Sequence, residues 1–305
     1  MPSLEDFKQS KPRMKMLVNG MFGTGKSRFA ATFPKAGWIV TEPQDLSVLR
    51  EPGNEHLLAN LVEYELCYVD GSATKVNWRQ LVEEPTLTCP LPPLEGQTAE
   101  GGLIYTALKP MFVGAREGRI ETLVLDNLTY TAAAFMQYLE KYRAQEPTFV
   151  GDSGKLDKRK MYGYLSAWLY RFLMTRVLNF PGNVVVTCHL KSESKEKMDK
   201  KKSNSDVEVV PNIEGGFRDK AEGLFGASIY LDRQVKPVKG EDGAIKQVTR
   251  FRAYTQNCTA FDSKILAKNT YGLPPVMQDI SYQSIVAHMA KAASQQAVKA
   301  SEVAK

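Results

Sequence analysis

The residues of this chain whose types and spacing could do chemistry begin at Gly20. Gly20-Met21-Phe22-Gly23-Thr24-Gly25-Lys26-Ser27 fits G-x-x-x-x-G-K-[ST] at every position. An apolar run, Met14–Asn19, precedes it, and a helical stretch, Lys26–Phe33, follows before Pro34. Glycines let the chain fold closely around phosphate oxygens, where a Cβ would collide. Backbone N–H groups from Gly23 to Ser27 then face the anion, and the start of the helix adds its dipole. Lys26 is placed to reach the β- and γ-phosphates, and the Ser27 hydroxyl to bind Mg2+. The expected cofactors are ATP and Mg2+. Gly20, Gly23, Thr24, Gly25, Lys26, Ser27 and Arg28 are the expected cofactor-binding residues.

Three strand ends supply the remaining chemistry. A phosphate-binding loop needs a second acid at the end of a neighbouring strand, directed at the metal's hydration shell. Leu123-Val124-Leu125-Asp126 provides one, so Ser27 and Asp126 are the metal candidates. Glu42 follows the apolar run Trp38–Thr41. In an open α/β sheet the carboxyl ends of strands line the ligand crevice, and a carboxylate there can orient or deprotonate water. Asp45 competes for that role. His189 follows Val184–Cys188, where a polar group can meet the γ-phosphate and report it to the next segment. The candidate catalytic set is Lys26, Glu42, Asp126 and His189.

These positions need a scaffold, and the hydropathy pattern describes one. Further strands are expected at Tyr64–Val69 and Glu121–Leu125. Helices are expected at Leu103–Arg116, Thr129–Ala144, Met161–Leu178 and Ile280–Ala293. Leu224–Leu231 and Thr249–Tyr254 read as strands joined at Gly240–Gly243. Apolar runs alternating with helices imply an α/β fold, with a mainly parallel sheet flanked by helices. The later strand pair adds an antiparallel extension at one edge. The chain divides into an N-terminal extension (1–12), one ATPase domain (13–290) and a flexible tail (291–305). The domain carries a Pro- and Gly-rich insertion at about 70–102, and mobile loops at about 147–160 and 190–212.

Charge is unevenly placed. The 305 residues hold 40 Lys+Arg and 34 Asp+Glu, a net +6. Residues 151–202 hold 12 basic and 5 acidic groups, so the rest holds 28 basic and 29 acidic. Two segments carry the excess, GDSGKLDKRK (151–160) and KSESKEKMDKKK (191–202). Both are expected at the edge of the sheet that holds the nucleotide, where they could close on a phosphodiester backbone. The candidate nucleic-acid contacts are Lys155, Lys158, Arg159, Lys160, Lys191, Lys195, Lys197, Lys200, Lys201 and Lys202. Phe149, Tyr162 and Tyr164 are candidate stacking faces for bases.

Composition narrows the class. With 43% hydrophobic and 24% charged residues, the chain is not a disordered or collagen-like polymer. No apolar run reaches the roughly 18–20 residues of a membrane span, so no membrane association is expected. The start, MPSLEDFKQSKPRMK, does not read as a signal peptide. Cys67, Cys89, Cys188 and Cys258 form no C-x-x-C pair and read as idle thiols in a reducing cytoplasm. His56, His189 and His288 are equally scattered, which argues against a structural zinc site.

With these residues in order, the chain resembles the RecA-like P-loop ATPases, and most closely the phage-encoded family linked to single-strand annealing and recombination. The resemblance spans roughly residues 13–290. It rests on Gly20–Ser27, on Ile39-Val40-Thr41-Glu42, on Asp126 and on His189, which stands where such proteins sense the γ-phosphate. It also rests on Gly215-Gly216-Phe217 followed by the strand around Ala227–Leu231. The resemblance implies a Mg2+-requiring, DNA-dependent ATPase that acts on single-stranded DNA in a bacterial host cytoplasm. Associations it implies are a ring or DNA-templated filament of the same chain, and a single-strand-binding protein or replication partner. Two other readings stay open. One is an ATPase acting on a protein, as a helicase loader or assembly motor, with Arg218 or Arg233 as an arginine finger. The other is a small-molecule phosphotransferase.

Overall fold

The computed structural model describes residues 13–41, 46–66, 103–140, 144–194, 207–213, 216–239, 245–260, 263–265 and 267–303. Its centre is a run of short strands, β1 (Lys15–Gly20), β2 (Ala36–Val40) and β4 (Thr122–Asp126), buried along nearly their whole length, with β3 (Leu61–Leu66) half-exposed at the edge. Two longer strands join them, β5 (Asn183–Ser194) and β7 (Ala227–Lys239), with β6 (Val207–Pro211) between them in the chain. The order across the sheet is β7-β1-β5-β4-β2-β3, and every neighbouring pair in it is parallel. Beyond β7 the sheet continues antiparallel through β8 (Ile245–Tyr254), the expected edge extension. Among the described residues no helix is long and apolar enough to cross a membrane.

Apolar strands of this kind are buried on both faces because crossover helices cover each side. Leu17, Leu125 and Val186 face one layer, formed by α3 (Leu103–Arg116), α4 (Leu128–Tyr138), α5 (Lys158–Phe172) and α6 (Arg218–Ala221). Met16, Val18 and Val185 face the other, with α1 (Lys26–Ala30), α2 (Glu55–Leu58) and α7 (Tyr282–Val303). An aromatic stack joins α4 to α5: Phe135 lies 4.1 Å from Trp168, and Trp168 lies 5.1 Å from Phe172. Each large apolar side chain buried in this way contributes about 1.5–3 kcal/mol. Side-chain caps start three of the described helices. Asn127 Oδ1 accepts from Tyr130 N–H at 3.0 Å, Asp157 Oδ1 from Arg159 N–H at 2.9 Å, and Ser281 Oγ from Ser284 N–H at 3.1 Å.

Several elements differ from the sequence-based expectation, each for a physical reason. The helix after the phosphate-binding loop ends at Ala30 rather than Phe33. Thr32 and Phe33 donate to Phe29 and Ala30, three residues back, which tightens the last turn before Pro34. The segment 190–212, expected as a loop, is strand in its described parts. Residues 190–194 of β5 pair antiparallel with 207–211 of β6. β6 also pairs with β10 (Ser263–Ile265), and β10 with β9 (Cys258–Ala260). The segment 147–160 is organised by an antiparallel bridge, Val150 to Leu156, and by Asp157 N–H donating to Phe149 O at 2.8 Å. Phe149, expected as a stacking face for bases, is fully buried against Tyr164. α5 begins at Lys158 and passes at its end into a π-turn, Leu173–Val177. β7 runs on to Lys239 rather than stopping at Leu231, and α7 runs to Val303, through the tail read as flexible. The insertion at 70–102 and the Gly240–Gly243 segment lie outside the described residues.

Candidate nucleotide-binding site

β1 ends at Gly20, between two longer strands. Gly20 pairs with His189 of β5 on one side and Leu231 of β7 on the other. The phosphate-binding loop therefore leaves the sheet at the point where its neighbours continue. Gly23 and Gly25 take φ of +72° and +85°, a conformation in which L side chains are strained. A Cβ on Gly20 would collide with Thr24 Oγ1, and one on Gly25 would meet the Phe251 ring at 2.7 Å. The loop is thus wrapped to a shape that only these glycines permit.

Lys26 is buried at the base of the loop. Its Nζ donates to Gly20 O at 3.1 Å and Met21 O at 2.9 Å, and to His189 Nδ1 at 3.2 Å. Ser27 Oγ donates to Asp126 Oδ2 at 2.7 Å. Thr187, on β5, donates to the other carboxylate oxygen, Asp126 Oδ1. The next residue is tied down as well. Asn127 N–H donates to Thr41 Oγ1 at 2.8 Å, and Thr41 Oγ1 donates to Asn127 O at 2.6 Å. A carboxylate that is 4% exposed, with hydroxyl donors on both oxygens, is a rigid hard-oxygen group. Together with the Ser27 hydroxyl it suits a small divalent cation such as Mg2+.

His189 is 4% exposed, and its surroundings reach two ways. Phe22, in the loop, stacks on its ring at 4.0 Å. On the far side, His189 N–H donates to Thr129 Oγ1 at 3.0 Å, and Asn212 N–H donates to His189 O at 2.7 Å. His189 thus connects the loop to the start of α4 and to the end of β6. Cys188 beside it is fully buried, and burial pushes its thiol up to about 11, which fits an idle thiol.

The expected residues Gly23, Gly25, Lys26, Ser27, Arg28, Asp126 and His189 line one cleft. Arg28 caps its flank, with its guanidinium over the Phe251 ring at 5.1 Å. Glu42 and Asp45 lie outside the described residues. Sequence reasoning missed Ser47, Val48 and Glu51, which line the same cleft. Their segment, 46–51, has no apolar periodicity that would place it. It also missed Thr187, although a hydroxyl inside the run Val184–Cys188 is a signal that a polar partner lies near. Lys158 shares a second cleft with Thr129, Glu140, Tyr162 and Asn212, beside His189. Its Nζ donates to Glu140 at 3.1 Å, while Lys160 Nζ donates to Val150 O at 2.8 Å. Lys155 and Arg159 are exposed, and Lys191 is half-buried on β5 two residues past His189. Lys195, Lys197, Lys200, Lys201 and Lys202 lie outside the described residues.

Fold and site together define an α/β P-loop ATPase domain. The family described as an AAA domain matches residues 12–265, and the chain belongs to that family. No curated protein matches the sequence. Among solved structures, a prototypical ATPase from the type III secretion system of pathogenic bacteria aligns with a TM-score of 0.40 and 13% identity. That alignment covers 72% of this chain and 51% of the other. The ATPase EscN, from the type III secretion system of enteropathogenic E. coli, aligns with a TM-score of 0.39 and 13% identity, over 72% of this chain and 43% of its own. The chain therefore spans about half the length of the solved structures it matches.

Proposed function

We propose that this chain binds and hydrolyses ATP to control its grip on single-stranded DNA, as in phage-type recombination or strand annealing. The observation that carries the reading is the course of β5. One uninterrupted strand holds Thr187 on Asp126, places His189 on Lys26, and continues into a projecting ribbon with Lys191 on it. The residues that follow in the chain, 195–202, include Lys195, Lys197 and Lys200–Lys202.

Bound ATP would supply the scissile phosphoanhydride, and Mg2+ would neutralise charge on its β- and γ-phosphates. The rest is done by the chain's own groups. Ser27 and Asp126 hold the metal. Lys26 leaves the carbonyls of Gly20 and Met21 and the His189 ring for phosphate oxygens. His189, released from Lys26, carries that change along its bonds to Thr129 and Asn212. Both of these lie beside Lys158 in one cleft. Glu42 orients the attacking water, with Asp45 as its competitor. Lys155, Lys158, Arg159, Lys160, Lys191 and the lysines of 195–202 meet the phosphodiester backbone. Assembly on the strand, as ring or filament, and cytoplasmic action beside a single-strand-binding or replication partner belong to the same reading.

The test is ATP hydrolysis with and without single-stranded DNA, paired with DNA binding with and without ATP. Stimulation together with ATP-dependent binding is expected. Hydrolysis indifferent to DNA, with no ATP-dependent binding, would overturn the reading and favour a protein partner.

A further inference from the structure

The ribbon formed by β7 and β8 is long for this sheet, and only its root touches the nucleotide site. At the root, Phe251 fills the space beside Gly25, and Arg233 Nη1 lies 3.6 Å from where a Gly23 Cβ would stand. Outward from there the ladder pairs Asp232 with Arg252, Gln234 with Arg250 and Lys236 with Val248. Directly opposed residues share a face, so these six form one surface. The sequence of 232–239 and 245–252 holds Arg233, Lys236, Lys239, Lys246, Arg250 and Arg252 against a single acid, Asp232.

That acid is already engaged. Arg252 Nη2 donates to Asp232 Oδ2 at 2.9 Å, and its guanidinium lies over the Tyr254 ring at 5.0 Å. Lys236 and Arg250 stand exposed further out, and Val248 is 37% exposed beside them. Two exposed cations on one face, with an exposed apolar side chain beside them, suit phosphates with a base between them.

The geometry points to the β7–β8 ribbon as a second contact for single-stranded nucleic acid, through Lys236 and Arg250. This rests on the function proposed above. Because β1 separates β5 from β7, the two projecting ribbons flank the phosphate-binding loop from opposite sides.

The experiment is fluorescence anisotropy of labelled oligo-dT over a salt series with ATP, for the wild type and Lys236→Glu with Arg250→Glu. Two lost contacts should make the slope of log K against log salt shallower by about 1.4. Affinity should fall at least about 10-fold, with melting and DNA-free hydrolysis unchanged. Lys158→Glu with Lys191→Glu, away from the ribbon, is the reference. Weakened binding in the reference with wild-type binding in the ribbon variant overturns this inference and leaves the function standing. A wild type that does not bind oligo-dT overturns both. A ribbon variant that keeps its DNA affinity but falls from oligomer to monomer on sedimentation assigns the ribbon to a second copy of the chain, and overturns the inference as well.

Discussion

At the carboxyl edge of the sheet Asp126 is 4% exposed and receives hydrogen bonds on both carboxylate oxygens, whereas on the adjoining ribbon Lys236 and Arg250 stand in solvent. The two regions use polar groups differently. In the body, a few charged and hydroxyl groups are held by strands packed on both faces, so their geometry is rigid and salt screens them little. On the β7–β8 ribbon, cations such as Lys236 and Arg250 are exposed to solvent, so their effect is summed and strongly salt-dependent. The body suits chemistry at one point. The ribbons suit recognition of a repeating charge.

The largest test of this contrast is stability. Trp168→Ala opens the aromatic stack between α4 and α5 and should cost about 3–5 kcal/mol in urea unfolding. Ile245→Ala, at a side chain that is 74% exposed on the ribbon, should stay within about 0.5 kcal/mol. A comparable loss at both would mean that the ribbon is part of the core. Next is chemistry. Lys26→Ala should lower turnover by about 10²–10³-fold, the usual loss when a preorganised charge on the transferring group is removed. Turnover within a few-fold of wild type, followed by phosphate release, would break the loop assignment.

A smaller effect isolates the support of the acid. Thr187→Val keeps the shape and removes the hydroxyl donor to Asp126, which should cost about 1–3 kcal/mol. An unchanged denaturation midpoint would mean that Asp126 does not depend on β5. The smallest concerns pH. Lys15 Nζ donates to Phe180 O and Gly182 O at 2.6 and 2.8 Å. Burial, with Arg13 nearby, pushes it down to about 8 from 10.5. The unfolded chain then binds more protons between those values, so this group's contribution to stability rises with pH across that window. Wild type should gain on Lys15→Met by about 1–2 kcal/mol from pH 8 to 10.5, with solvent screening the full displacement. A flat difference between the two unfolding curves would show that the ammonium is not desolvated.

The legible parts of the site were local. Gly20–Ser27 is a strand, a turn and a helix start within a dozen residues, and its chemistry follows from residue type alone. Asp126 and His189 were legible because each ends an apolar run, and in a parallel sheet such ends converge. The ribbons were not. Lys191-Ser192-Glu193-Ser194 has no apolar period, and it is strand because Val207–Pro211 pairs with it across a long stretch of chain. Phe149 sits among polar residues in the sequence, and only the packing of Tyr164 against it makes it core. Glu51 enters the cleft through the path of 46–51, which nothing in its own residues dictates.

What the sequence by itself determined is the family of chemistry: a phosphate-binding loop, a strand-end acid and a strand-end histidine, all set by local residue order and burial pattern. What only the tertiary structure decided is how those groups connect. The pairing of Gly20 with both His189 and Leu231 puts the loop between two projecting ribbons, and Thr187 bonds Asp126 across the sheet. The physical reason is that strand pairing depends on partners distant in the chain. Burial pattern marks where a strand lies, but not which neighbour it meets or how far it continues past the edge.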